Sequence, residues 1–486
     1  MTKQKLHNLF FISKPTETKA LPPTLPYSKK GRVLVASVKF LYNILGKLNR
    51  QWRSPLPDFE ENPAYFSPKD ILYLGYKYYQ KPPYLYPESL IEHFHKQNFE
   101  FYIPKGFEIK NKITLSAGGD LMPYEWIQKP YTKHLWDEVG DYFFGADIVF
   151  ANLETPIDTS RPPSFVPEVM LNDMLFNGSQ EMFEIFSGNG KFKGYDILST
   201  ANNHSYDMGR QGLEATIDFL EKQKVAFTGT ARSQEERENF PILERNGIRV
   251  AFIAYTYSLN KFHLPKEEAY LVNTERLNTA TPNLEKIKQD ALQAYKRGAD
   301  IVVLSLHTGN AYQPYPSAHT VAVYHRIFNE CGVDIILGSH PHNPQPIEKY
   351  TFTCPLSKKQ KQGFAIYSLA DFVAYDIFVW DRLLPLLKIE IAKGHFEDGT
   401  SHTQITHIEV LPVYNWGTKN TNKNKEMRFL PLEQVLAQIK HEQAPKFMSK
   451  LCQKEALYLH HFWKEVFGAY CDYTSNLQKI RNSGKS

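Results

Sequence analysis

Between Ile113 and about Val413 the chain alternates short, continuous apolar runs with amphipathic stretches. The runs are ITLSAGG, ADIVFANL, YDILSTAN, RVAFIAYT, DIVVLSLH, VDIILGSH and FAIYSLAD, and segments such as GLEATIDFLEKQ and LEKIKQDALQAYKRG lie between several of them. Val/Ile/Leu runs without polar alternation suit strands buried on both faces, and the amphipathic segments suit helices that cover them. The pattern predicts an α/β domain over residues 111–416. The flanks read differently. Residues 1–110 hold Pro15, Pro22, Pro23 and Pro26, then an amphipathic stretch from Val33 to Leu48, then the proline-punctuated RSPLPDFEENPAYFSP. Ser67-Pro68-Lys69-Asp70 reads as the cap and first turn of a helix through ILYLGYKYYQ, and Pro87-Glu88-Ser89 opens another to about Gln97. This predicts a Pro/Tyr-rich, partly helical N-terminal extension. After Trp416 a polar linker, GTKNTNKNKE, leads to PLEQVLAQIKHE and KFMSKLCQKEALYLHHFWKEVFGAY. Residues 417–486 therefore read as a helical appendage.

Composition narrows the functional classes. With 42% hydrophobic and 22% charged residues the chain is neither globally disordered nor a solvating acidic polymer. The balance of 57 basic against 52 acidic residues leaves +5, too little for a dedicated nucleic-acid surface, so no nucleic-acid partner is expected. Cys331, Cys354, Cys452 and Cys471 are too widely spaced for a disulfide scaffold or a thiolate metal site. The N-terminus, MTKQKLHNLFFISKPTETK, lacks the features of a signal peptide and no apolar run is long enough for a bilayer, which predicts a cytoplasmic location. The Val33–Leu48 stretch, interrupted by Lys39, Asn43 and Lys47, reads as an amphipathic helix expected to pack on the core, with peripheral membrane contact as the alternative. Much of the large aromatic content sits in ILYLGYKYYQKPPYLYPES, FEFYIPKGF and YLHHFWKEVFGAY. These segments are expected to clamp the extensions onto the central domain.

Chemistry concentrates at the ends of five predicted strands: Gly118-Gly119-Asp120; Asn152-Leu153-Glu154; Asn202-Asn203-His204 with Asp207; His307; and Gly338-Ser339-His340-Pro341-His342. In open α/β sheets, loops at the carboxyl ends of strands converge on one site. Singly, each motif has a plain structural reading. Asp120 can be a turn residue, Asn202-Asn203-His204 can cap the helix that starts near Asp207, and His307 can be a satisfied core histidine. His340 and His342, two residues apart in an extended segment, would face the same way. Together, two carboxylates, an Asn and several His make a mixed N/O donor set suited to Zn, Mn or Fe.

The order GGDLM, ANLETPID, YDILSTANNHSYDMGRQGL, LSLHTGN, VDIILGSHPHNPQPIE and AIYSLADFV resembles the CapA family of poly-γ-glutamate capsule biosynthesis proteins, within the calcineurin-like metallophosphoesterase superfamily. The resemblance covers roughly residues 111 to 375, and ANNHSYDMG and GSHPHNPQP are its most specific pieces. It implies a four-layer αββα sandwich with helical extensions and a centre of one or two divalent metals, Mn, Fe or Zn. Carried over, Asp120 ligates the first metal and Glu154 bridges the two. Asn203, His307 and His340 complete the second metal and His342 returns to the first. His204 is implied as the proton donor, oriented by Asp207. The implied chemistry is a metal-activated water acting on a phosphoester or a polyanionic polymer.

Three positions depart from the pattern. Met122 stands where the wider superfamily has a His, which leaves the first metal short of a ligand. Thr308-Gly309-Asn310 replaces Trp-Gly-Glu, and Ala370-Asp371 replaces Gly-Asn, with Asp371 read first as a turn residue and otherwise as an added carboxylate near the site. Alongside a metal-dependent hydrolase, a non-catalytic protein that binds the polymer through its metal remains a second reading, and an adaptor whose Tyr-rich extension binds partners a third.

Overall fold

Thirteen strands among the described residues form two facing sheets. The structure, a computed structural model, describes residues 28–49, 63, 66–80, 86–373, 379–418 and 425–483. The N-terminal Pro-rich stretch, most of residues 53–68 and most of the polar linker lie outside the described residues. In chain order the strands are β1 (Glu108–Asp120), β2 (Ile148–Asn152), β3 (Ile197–Ser199), β4 (Ala226–Thr228), β5 (Ile242–Arg245), β6 (Ile248–Thr256) and β7 (Ile301–His307). They continue with β8 (Ile335–Ser339), β9 (Pro344–Thr353), β10 (Gln360–Leu369), β11 (Leu383–His395), β12 (Ser401–Gly417) and β13 (Met427–Pro431). One sheet runs β13-β12-β11-β1-β2-β3-β4 and the other β5-β6-β7-β8-β10-β9. Within them β1 to β4 are mutually parallel, as are β6, β7, β8 and β10, while β11 to β13 and the edge strands β5 and β9 run antiparallel to their neighbours.

Strand alternation sorts each sheet's side chains into layers. On β2, Ile148 and Phe150 enter the core between the sheets, whereas Val149 and Ala151 join a second cluster on the opposite face. Phe150 stacks on Phe252 of β6 with ring centroids 6.3 Å apart, which ties sheet to sheet. Helices along the chain include α1 (Lys29–Leu48), α2 (Pro68–Gln80), α3 (Glu88–His95), α4 (Gly140–Phe144), α5 (Gln180–Phe186), α6 (Gly209–Gln223), α7 (Glu285–Lys296), α8 (Ala318–Arg326), α9 (Leu432–Lys440), α10 (Lys450–Val466) and α11 (Gly468–Ser483). Phe143 of α4, Phe183 of α5 and Leu220 of α6 cover the first sheet's outer face, and Ile287 and Ala291 of α7 pack on β6 and β7 of the second. The result is the α/β domain that the apolar runs predict, arranged as the four-layer sandwich that the family resemblance implies.

The flanking segments are tied on by aromatics and one buried ion pair. Phe94 of α3 meets Tyr367 of β10 edge-on at 5.3 Å, and Trp380 stacks on Phe462 of α10 at 5.6 Å. Arg382 Nη1 lies 2.6 Å from Glu455 Oε1, with both side chains almost fully buried. Two expectations need correction. Residues after 416 are not all helical, because Met427–Pro431 pairs with β12 and extends the sheet. Nor does α1 sink its apolar face into the core: Val33, Phe40 and Leu48 are 70%, 69% and 75% exposed. It pairs instead with α2, Tyr42 stacking on Tyr79 at 5.8 Å. No helix among the described residues is long and apolar enough to cross a membrane.

Candidate metal centre

Both sheets deliver their chemistry to one end. Asp120 closes β1, His307 closes β7, Glu154 follows β2, Asn203 and His204 follow β3, and His340 and His342 follow β8. The sheets meet there because β1 passes very close to the end of β10. A Cβ on Gly119 would collide with the carbonyl oxygens of Ala370 and Leu369, so only glycine permits the approach. Asp120 N donates to Ala370 O at 2.9 Å, and Phe372 N donates to Asp120 O at 3.0 Å. This bridge sets Asp371 beside Asp120.

Asp120, Glu154, His342 and Asp371 are all buried, and one ligand atom from each lies within 4.8 Å of the others. Of the two sequence readings of Asp371, the preferred turn residue gives way to the other: it is an added carboxylate in the cluster. His342 Nδ1 lies 3.0 Å from Asp371 Oδ1, and its ring stacks on Tyr312 at 5.4 Å. Asn152 Nδ2 donates to Asp120 Oδ1 at 2.7 Å, which fixes that carboxylate.

The remaining donors extend from Glu154. His307 Nε2 lies 3.5 Å from Glu154 Oε1 and 2.9 Å from Asn203 Oδ1, while its Nδ1 meets Ser339 Oγ at 2.8 Å. Asn203 Nδ2 donates to Asn260 Oδ1 at 3.1 Å, which leaves Oδ1 facing the histidine. The His340 ring centre is 5.0 Å from that of His307 and 5.9 Å from that of His342. Both His340 and His342 have positive φ, 96° and 64°. They reach one pocket through left-handed turns rather than the expected extended alternation, a strain of the kind that collects at functional sites.

His204 stands apart from the carboxylates. Its Nδ1 lies 2.6 Å from Asp207 Oδ2, which also accepts from Phe176 N at 2.7 Å, and its ring stacks on Phe176 at 3.9 Å. Neither residue caps α6, whose first turn has no side-chain cap. His204, His340, His342, Asn203 and Asp371 line an opening whose other walls are largely apolar. Part of that wall comes from the N-terminal extension, through Pro63 and Leu74. Thr308 and Asn310, at the second departure, are buried, Thr308 Oγ1 donating to Asn278 Oδ1 at 2.7 Å.

Electrostatics and hydrogen bonding both call for a cation. Burial pushes the Asp120 carboxyl up, and burial followed by the charges of Asp120 and Asp371 pushes Glu154 well above the carboxylate range. Burial lowers His307 and His340 well below the usual imidazole value, and neighbouring histidines, with Lys77 beside His340, lower them further. Neither His340 ring nitrogen has a hydrogen-bond partner among the described residues, and the Glu154 carboxyl faces that of Asp120. Neutral imidazoles and carboxylates short of positive charge are what a divalent ion needs, so the residues fit a metal.

The pH dependence follows. With the metal stripped, the raised carboxyls hold protons that the unfolded chain releases, so their cost to stability grows as pH rises above the ordinary carboxylate range. The depressed histidines act oppositely, and their cost grows as pH falls through the ordinary imidazole value. A bound cation relieves the first cost and competes with protons for the same groups. Thermal denaturation of chelator-stripped protein is expected to show a larger stabilisation by Mn²⁺ or Zn²⁺ at about pH 7.5 than at about pH 5.5. Equal shifts at the two values would contradict this reading.

Residues 114–376 match the model of a family described as bacterial capsule synthesis protein PGA_cap. The capsule biosynthesis protein CapA of Bacillus anthracis is 26% identical over 341 residues, covering 67% of this chain and 78% of its own. The PGA biosynthesis protein CapA of Bacillus subtilis is 25% identical over 303 residues, covering 61% and 72%. Among solved structures, a hypothetical protein from Thermus thermophilus aligns over 62% of this chain and 99% of its own, at 15% identity and a TM-score of 0.31.

Proposed function

Because the chain belongs to the bacterial capsule synthesis protein PGA_cap family, we infer that it is a metal-dependent hydrolase acting on a phosphoester or on an anionic cell-envelope polymer of the poly-γ-glutamate kind. One observation carries the hydrolytic half of this reading: His204, held by Asp207, lines the same opening as His342 and Asp371 of the metal-suited cluster without belonging to that cluster. A site that only binds carboxylates through a metal has no need of a held proton donor.

Asp120, Glu154, His342 and Asp371, with Asn203, His307 and His340 beyond Glu154, are the residues that would hold one or two ions of Mn, Fe or Zn. An ion bound there supplies Lewis acidity, lowering the pKa of water and offsetting charge on substrate oxygens. The chain's own residues do the rest. Asp207 and Phe176 fix the His204 ring, and Asp207 on Nδ1 leaves Nε2 as the nitrogen that holds a proton for the leaving group. Met122, Tyr124, Val166 and Phe176 give the opening apolar walls that limit water around the reacting groups.

Turnover of an aryl phosphate, a phosphodiester and poly-γ-glutamate, measured with Mn²⁺ and after chelation, tests the reading. At least one substrate is expected to be cleaved in a metal-dependent way. Metal-dependent binding of the polymer with no cleavage of any member would replace the hydrolase with a polymer-binding protein.

The partner at the other face of the extension is proposed from α1. That helix carries Lys29, Lys30, Arg32, Lys39 and Lys47 with no acidic residue, and it exposes Val33, Phe40, Leu41 and Leu48. Cations beside exposed apolar side chains match an anionic membrane surface, and four unpaired cysteines accord with its cytoplasmic side. Sedimentation with anionic vesicles is expected for the wild type and is weakened by Phe40→Glu. Equal sedimentation of both proteins would remove the apolar face of α1 from the account, and no sedimentation of the wild type would remove the membrane.

A further inference from the structure

A second group of ligands lies on other elements, where the N-terminal extension meets the sandwich. His93 on α3, His325 on α8 and Glu348 on β9 bring one ligand atom each to within 4.8 Å of the others. His93 Nε2 and His325 Nε2 each lie 2.9 Å from the same oxygen, Glu348 Oε1. The other oxygen, Oε2, accepts from the Tyr367 hydroxyl at 2.6 Å, so the carboxylate is held by one atom and offers the other.

The rings are held as firmly. His325 stacks on Tyr350 at 4.1 Å with 16° between planes, and His93 meets Phe94 edge-on at 5.1 Å. The Glu348 side chain is 1% exposed, against 34% for His93 and 25% for His325. The cluster is thus a buried carboxylate beneath two imidazoles at a solvent-facing rim. If both histidines were protonated, two positive rings 5.8 Å apart would share one carboxylate. A single divalent ion accepts the lone pairs of two neutral imidazoles and neutralises the carboxylate at once. Two His and one carboxylate, with an open side for water, is a donor set that suits Zn²⁺. A hydrogen-bonded partner on the far carboxylate oxygen is the support such ligands usually have.

We propose that His93, His325 and Glu348 form a Zn²⁺-type metal site, separate from the Asp120–Glu154 centre, that pins α3 of the N-terminal extension to the sandwich. The pin bears on the pocket through aromatic contacts. Tyr86, just before α3, packs edge-on against Tyr315 at 5.3 Å, and Tyr315 lies three residues from Tyr312, which stacks on His342.

The test counts zinc in the full-length chain after dialysis against zinc and then metal-free buffer, by elemental analysis, in two backgrounds. One is wild type, and the other is Asp120→Asn with Glu154→Gln, which disables the main centre. In each background His93→Gln, at a partly exposed position, is expected to remove about one equivalent of zinc, and Tyr367→Phe to weaken zinc binding about 10- to 100-fold against a competing chelator. Circular dichroism confirms that the variants are folded, and His325→Gln serves as the second variant if His93→Gln is not. An unchanged zinc count on replacing His93 and His325, in either background, overturns the proposal. Because the double variant isolates this cluster, loss of hydrolysis with retention of this zinc, or the reverse, separates its fate from that of the proposed function.

Discussion

Asp120→Asn is expected to abolish metal binding at the main centre and hydrolysis together while leaving the metal-free protein at least as stable as the wild type at neutral pH. Asp120 is wholly buried at the junction of the two sheets, with Oδ1 held by Asn152 at 2.7 Å and Oδ2 receiving His340 N at 3.3 Å. An Asn side chain keeps an oxygen for the Asn152 amide and matches the volume. It removes the negative charge that burial disfavours when no cation is present, a charge that also pushes the Glu154 carboxyl up. A damaged fold would lower the melting temperature, whereas loss of a ligand lowers metal content and turnover with no such fall. Paired measurements of bound metal and melting temperature on chelator-stripped Asp120→Asn and wild type therefore separate the two causes. A variant that keeps its full complement of metal sinks the assignment of Asp120.

His204→Ala is expected to do the opposite: metal content stays at the wild-type level while turnover falls about 10²- to 10⁴-fold, the usual weight of a proton donor. The ring bonds to Asp207 and stacks on Phe176, and it makes no hydrogen bond to the four-residue carboxylate cluster. The deficit is expected to shrink as the leaving group becomes more acidic, because a good leaving group departs without a proton. Asp207→Asn is expected to fall between the two, since an amide still orients a ring but stabilises its protonated form less. A leaving-group series in which wild type and His204→Ala run parallel would rule out proton donation and leave His204 a wall of the pocket.

The parts of this architecture that were legible in the sequence are those where burial writes a strong pattern. Six strands that lead to the site, β1, β2, β3, β7, β8 and β10, are continuous apolar runs because both faces of each are covered. The donor residues at their ends could therefore be placed on one edge before any coordinates. Strands of mixed pattern were harder. The segment that forms β9 is not among the predicted runs, and the strand tolerates Pro344 and Pro346 because it lies at a sheet edge. Met427–Pro431 follows a polar linker and is recognisable as a strand only through its pairing with β12.

The site shows the same division. Asp371 sits in a short loop where sequence sees a turn, and only the close pass of Gly119 by Ala370 brings it to Asp120. His340 and His342 were paired by an argument from extended backbone, whereas left-handed turns at both residues perform the pairing. For α1, periodicity identified the helix and its apolar face but not what that face meets, because amphipathicity records an interface without naming the other side.

The central claim is that the buried cluster at the junction of the sheets is a metal centre. X-ray anomalous diffraction at the manganese absorption edge, on crystals of the wild-type chain grown with Mn²⁺, tests it most directly. The account predicts an anomalous peak within bonding distance of Asp120, Glu154, His342 and Asp371, and its loss in Asp120→Asn crystals. Wild-type crystals soaked to saturation with Mn²⁺ that show no peak among these residues would contradict it.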